Sequence, residues 1–316
     1  MIGFDKTLYS FLAQHERAVQ IELTDVRGSS PRNSGTFMYV TSKDLWGTIG
    51  GGQLEFMVIE RAREMLANGA LADHLDIPLG PEIGQCCGGR VSVSLARMSP
   101  RDKLNACNRA QAAEDARPHV YVMGAGHVGR AMALQLQHLP VHCVLVDTRE
   151  EELTKNTADV ETRLSAIPEF VIRNAPEGSA FVVLTHDHAL DFLLTSEALE
   201  RKDACYVGMI GSATKRAKFS HWCHEMCDDI NLENLNCPIG ASGSRDKRPS
   251  VIASFVVAEI IAELTSEPAA TALSKGTGLP SGKPLSGRKS DRLERPLQVS
   301  RLTGGGNHHE RPKLLI

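Results

Sequence analysis

No run of apolar residues approaches the ~18 needed to cross a bilayer as a helix, so no membrane partner is expected. Basic residues are not in excess. The formal net charge is -3, which gives no electrostatic case for nucleic acid, whose binding domains are usually strongly basic. A secretory pattern is missing too: residues 1–6 carry an acid early and lack the charged-then-apolar order of a signal peptide, so a cytoplasmic location is expected. Eight cysteines in a chain of 316 residues are too sparse for a disulfide framework. Cys223 and Cys227, interleaved with His221 and His224, lack the second ligand pair of a structural zinc site and read as free thiols.

Hydrophobic residues make up 42% of the chain, enough at this length for more than one core. Residues 1–98 read as a first unit. A helix is expected over 7–16, then strands over 18–26 and 36–40. A glycine-led helix should follow, with Leu54, Met57, Val58, Ala62 and Leu66 on one side. Three elements of this unit carry chemistry. The Gly28-Ser29-Ser30-Pro31-Arg32 turn offers hydroxyls and a planar guanidinium. The Gly50-Gly51-Gly52 triplet, at a helix start, is expected to turn backbone N–H groups toward an anion. Gly84-Gln85-Cys86-Cys87-Gly88-Gly89 places two thiols between glycines, ahead of an alternating strand over 91–95. Thiolates are soft metal ligands, and adjacent residues of an extended chain face opposite ways. Parity from Val91, Val93 and Leu95 turns Cys86 away from the core set. The glycine pair can break that parity, so either thiol stays a candidate.

Residues 99–117 are polar with no sustained apolar period and read as a linker, in part helical. Residues 118–265 read as a second unit. A short apolar strand runs into Gly124-Ala125-Gly126-His127-Val128-Gly129, a helix follows, and a second strand ends at Asp147, about 20 residues on. Strand, glycine turn, helix and acid together form the dinucleotide-binding context, so a Rossmann-type α/β fold is expected. Asp147 is the candidate acceptor for a ribose hydroxyl. Further strands are expected over 170–173, 181–184 and 205–210. The last two end in clusters holding His186 and His188, and Ser212 with Lys215 and Arg216, where open α/β sheets bind ligands. An apolar packing helix is expected over 249–264. Residues 266–316 have a Gly-, Pro-, Ser- and Lys/Arg-rich composition that points to a disordered tail.

Taken in order, these motifs, with Gly208-Met209-Ile210-Gly211-Ser212 and Cys237-Pro238-Ile239-Gly240, resemble the XdhC family across residues 1–265. These are accessory proteins of xanthine dehydrogenase and related molybdenum hydroxylases. The resemblance implies a smaller α+β N-terminal domain before a doubly wound Rossmann domain, and a chaperone rather than an enzyme. Its cargo would be molybdenum cofactor, as molybdopterin or its cytosine dinucleotide, sulfurated by a cysteine desulfurase and inserted into apo xanthine dehydrogenase. It makes Cys86 or Cys87 the candidate molybdenum ligand. Ser29, Ser30, Arg32, Gly50, Gly51, Gly52 and Gln85 join them as cofactor-binding candidates in the first unit. Gly124, Gly126, His127, Gly129, Asp147, His186, His188 and Ser212 are the candidates in the second. Homo-oligomerisation is left open. Two other readings compete: an NAD(P)-dependent oxidoreductase using the glycine turn, and a metal-dependent hydrolase built on His186, His188 and Asp191.

Overall fold

The computed structural model describes residues 4–81, 88–227, 230–240, 244 and 246–265. Gln85, Cys86 and Cys87, together with the expected tail at 266–316, lie outside the described residues.

The N-terminal part is an antiparallel sheet of five strands in the order β3-β2-β1-β5-β4. They are β1 (Val19–Arg27), β2 (Phe37–Val40), β3 (Leu45–Gly47), β4 (Ala72–Pro78) and β5 (Arg90–Arg97). Alternation along β2 assigns its two faces. Met38 and Val40 join Val19, Ile21 and Leu23 against α2 (Gly52–Asn68), which buries Leu54, Val58, Ala62 and Met65 there. Phe37 and Tyr39 face the other way, toward α1 (Phe4–Gln14) and α3 (Pro100–Asp115), in a second cluster with Leu8, Leu12 and Ala106.

Residues 99–117, expected as a linker in part helical, are filled mostly by α3. Ser99 and Asp102 form a reciprocal capping box around Pro100, which satisfies N–H groups at the helix start. Lys103 Nζ then donates to the carbonyls of Leu12, His15 and Glu16, closing the open C-terminal end of α1. Only Ala106 is buried on α3, so the apolar period that would announce the helix is nearly absent.

The second sheet has six parallel strands in the order β11-β10-β9-β6-β7-β8, the doubly wound arrangement expected. They are β6 (His119–Met123), β7 (His142–Asp147), β8 (Glu161–Leu164), β9 (Ala180–Val183), β10 (Tyr206–Met209) and β11 (Leu235–Asn236). Strands β6, β7, β9 and β10 are buried almost throughout, as strands covered on both faces must be. One face packs α4 (His127–Leu136) and α9 (Pro249–Thr265). The other packs α6 (Pro168–Arg173), α7 (His188–Glu200) and α8 (Ala213–Met226). The strand expected at 170–173 is therefore a helix. Pro168 at its first turn presets the helical φ and outweighs the strand propensity of Phe170, Val171 and Ile172. The real third strand is β8, whose mostly polar side chains hid it. Among the described residues no helix is long and apolar enough to cross a membrane.

Candidate functional site

The N-terminal landmarks converge. The β1–β5 register pairs Arg27 with Arg90, which sets the turn after β1 beside the residues leading into β5. A Cβ added at Gly89 would lie 2.0 Å from the Ser29 carbonyl oxygen and 2.9 Å from that of Arg27, so only glycine fits. On the other side of the turn, a Cβ at Gly50 would lie 2.4 Å from Pro31 Cγ. The Ser-Ser-Pro-Arg turn thus sits between the glycine triplet and the glycines that end the Cys-Cys motif. Ser30 Oγ is buried there and has no hydrogen-bond partner, which is costly unless a ligand or water satisfies it. Arg32 is exposed.

The glycine triplet is not the open anion cradle expected. The Glu55 carboxylate, one turn into α2, accepts from the backbone N–H of Ile49 (3.0 Å), Gly50 (3.2 Å) and Gly51 (2.9 Å), and from the Thr48 hydroxyl. Burial alone would raise the Glu55 pKa. The hydrogen bonds from Thr48, Gly51, Ile49 and Gly50 outweigh it and hold the carboxyl below its ordinary value. The chain supplies its own anion to this nest. An acid three residues after the last glycine is the sequence signal that pointed to it.

The second group stands at the carboxyl ends of β6, β7, β9 and β10, astride the strand-order reversal between β6 and β9. Gly124 takes φ +130° and Gly129 lies so close that an added Cβ would be 1.9 Å from the Gly124 carbonyl oxygen. That contact lets α4 start directly over the strand end. Gly126 has open space where a Cβ would be, and His127 beside it is exposed. Asp147 is at the expected place but is committed internally. One carboxylate oxygen accepts from the Ala125 N–H at 2.7 Å and the other from the Arg149 N–H at 3.0 Å, while the Arg149 guanidinium bridges both. Burial opposes its ionisation. The bonds from Arg149 and Ala125 prevail and keep its pKa low. A ribose hydroxyl would have to compete with these donors.

His186, His188 and Ser212 come together around a cavity of about 300 Å³, walled also by Asp191, Gly211 and Lys215. His186 also borders the crevice beside Gly124 and Asp147. Sequence reasoning named Asp191 and Lys215 in separate roles and missed that they pair. Lys215 and Asp191 are both buried, with Lys215 Nζ donating to the Asp191 carboxylate and, at 2.8 Å, to the Ile210 carbonyl. Asp191 accepts in addition from the Thr185 N–H at 2.8 Å. Its oxygens therefore face the protein, and the triad imagined for a metal hydrolase is not assembled. Among the described residues no cluster of three metal-ligating side chains exists. Arg216, expected to meet an anion, instead donates to the carbonyls of Leu232, Leu235 and Cys237. Ser212 caps α8 through the Lys215 N–H.

Two family models match the chain. The XdhC Rossmann domain covers residues 120–260, and the XdhC and CoxI family covers residues 11–75. The chain belongs to the XdhC family. Within known proteins this XdhC-family chain is 26% identical over 263 residues to the uncharacterized protein YqeB of Escherichia coli (strain K12). That alignment takes in 76% of the chain and 42% of YqeB, so the chain spans well under half of that relative. Its fold is similar to that of a Bacillus halodurans protein whose crystal structure is described as a xanthine dehydrogenase. The TM-score is 0.71 at 18% identity, covering 84% of this chain and 97% of that one.

Proposed function

We propose that this XdhC-family chain is an accessory protein that binds molybdenum cofactor as cargo, shields it while its terminal sulfur is installed, and passes it to an apo molybdenum hydroxylase such as xanthine dehydrogenase. The observation that carries the reading is the packing of the Gly28–Arg32 turn between Gly50 and Gly89, with the Ser30 hydroxyl left unpartnered. A phosphorylated pterin holding a soft metal needs close backbone approach, a hydroxyl donor, a guanidinium and a soft sulfur ligand. Gly89, Ser30 and Arg32 supply the first three around this turn, and Cys86 or Cys87, just before Gly88 and Gly89 in sequence, is the candidate for the fourth. Bound cargo would take its metal chemistry from the cofactor, while the chain's own residues bind, orient and exclude water. Carriage and release require moderate affinity, which suits one thiolate better than a closed cage of four.

The nicotinamide reading has less support, because Asp147 is engaged by Ala125 and Arg149. A cysteine desulfurase and the receiving apo-enzyme are the partners this function requires. The test is elemental analysis and mass spectrometry of small molecules released from chain isolated out of molybdenum-replete cells. Molybdenum and pterin are expected, both lost in the Cys86→Ala/Cys87→Ala chain. Equal retention by that variant would sink the thiolate assignment. Cells yielding chain with neither would sink the cargo reading itself.

A further inference from the structure

A larger cavity, about 510 Å³, lies in the N-terminal part on the face of the sheet away from α2. Its floor is aromatic. Phe37 and Tyr39 are two apart on β2 and so share a face, and the β2–β3 register sets Trp46 opposite Tyr39, ring centroids 5.7 Å apart. Its roof is α3, which turns Ala106, Ala110 and Ala113 toward the rings. At that helical spacing the three share one side, and their short side chains leave a slot instead of filling it. Leu8 of α1 also lines it. The charge is of one sign. Arg109 lies over the Phe37 ring at 4.7 Å and spends one donor on the neutral Gln20 amide at 2.7 Å, while Arg32 stands on the rim. No carboxylate lines the cavity among the described residues.

Two packed aromatic edges and a slot of this volume suit a flat fused ring, since ligand pockets run ~300–1,000 Å³ and are mostly apolar with a few convergent polar groups. Guanidinium groups with donors to spare suit a phosphate, which they can grip with two parallel hydrogen bonds. Burial raises the Tyr39 phenol against the pull of an Arg109 hydrogen bond, which keeps that hydroxyl a neutral donor at the cavity wall. We infer that this cavity is a binding site for a purine nucleotide. The ring lies between Trp46–Tyr39 and the alanine face of α3, and the phosphate meets Arg109 and Arg32. The inference shares only Arg32 with the cargo reading, since Trp46, Tyr39, Arg109 and the alanine face of α3 take no part in that reading.

The chain has two tryptophans, Trp46 here and Trp222 stacked on Phe219 in the second sheet's layer. In a Trp222→Phe chain freed of bound small molecules, Trp46 becomes the sole indole reporter, excited at the red edge of its band. Guanosine monophosphate should quench it saturably, with a dissociation constant on the order of 10–100 µM. Guanosine and ribose 5-phosphate, each carrying half the features, should bind at least about tenfold more weakly. Arg109→Ala should weaken guanosine monophosphate about tenfold, the worth of one charge-assisted hydrogen bond. Ala113→Phe, which changes an exposed position into a plug for the slot without adding an indole, should abolish binding with the circular dichroism intact. Calorimetry on the chain with both tryptophans repeats the titration without relying on the reporter variant. Ribose 5-phosphate binding as tightly as the nucleotide, or a titration unaltered in Ala113→Phe, would overturn the site. Binding here by a chain that yields no molybdenum or pterin from cells would sink the cargo reading and leave this one standing, and the converse holds.

Discussion

Replacing Lys215 by Met tests the buried pair under the sheet-end cavity. Lys215 is 8% exposed and Asp191 2%, so neither charge is solvated once its partner is gone. Methionine keeps the length and most of the volume of the lysine stem, which confines the change to the charge and its hydrogen bonds. What remains is a buried carboxylate holding only the Thr185 N–H, while the Ile210 carbonyl loses a donor. Breaking a buried ion pair from one side costs about 3–5 kcal/mol, because an uncompensated charge stays behind. With a urea slope of roughly 2 kcal/mol/M, the midpoint should fall by about 1.5–2.5 M. Trp222 on α8 reports locally, and Trp46→Phe removes the distant signal. Asp191→Asn in the Lys215→Met chain leaves no charge behind and still accepts from Thr185, so only an amide N–H is orphaned, at about 1–3 kcal/mol. The double variant should therefore be more stable than Lys215→Met alone. If the double variant's loss equals the sum of those of Lys215→Met and of Asp191→Asn alone to within about 0.5 kcal/mol, the groups are uncoupled and the account of the cavity floor is wrong.

Gly129→Ala forces a Cβ to within 1.9 Å of the Gly124 carbonyl oxygen, a backbone atom that cannot swing aside. It should cost about 1–3 kcal/mol or more by overpacking, read as a lowered Tm, whereas Gly126→Ala, with open space around it, should cost less than about 1 kcal/mol. Acid should loosen both glycine turns. Glu152 is held at about 2 by hydrogen bonds from Lys155 and Arg130, and Arg130 also donates to the Ala125 carbonyl. A carboxylate depressed from 4.5 contributes stability that is full above that value and lost as pH falls toward about 2. Glu55, also depressed, acts in the same sense at the N-terminal nest. Melting temperature should thus fall between pH 5 and 2 in the parent, and less steeply in a Glu55→Gln/Glu152→Gln chain. An equally steep fall in that variant would show that other groups carry the acid sensitivity.

Much of the backbone was legible from spacing. The alternation at 91–95 marks β5, the glycines at 124, 126 and 129 mark the turn into α4, and the apolar side of residues 54–66 marks the buried face of α2. Helix α3 was legible only in part, because its hold on the fold is a capping box and a lysine on three carbonyls, neither of which leaves an apolar period. β8 and α6 were exchanged for a related reason. Polar Glu161 and Arg163 disguised an edge strand, and Phe170, Val171 and Ile172 disguised a helix begun by Pro168.

The amino-acid sequence alone therefore determined where glycine permits a tight turn and which apolar strands build the centre of the parallel sheet, since these follow from sterics and side-chain patterning within a few residues. Only the tertiary structure decided what each turn's polar groups bind. Glu55 reaches back onto the triple glycine, Asp147 turns inward to Ala125 and Arg149, and Lys215 spends its charge on Asp191. A hydrogen-bond donor or a charge can be satisfied from any part of the chain, and which partner arrives is settled when distant segments pack.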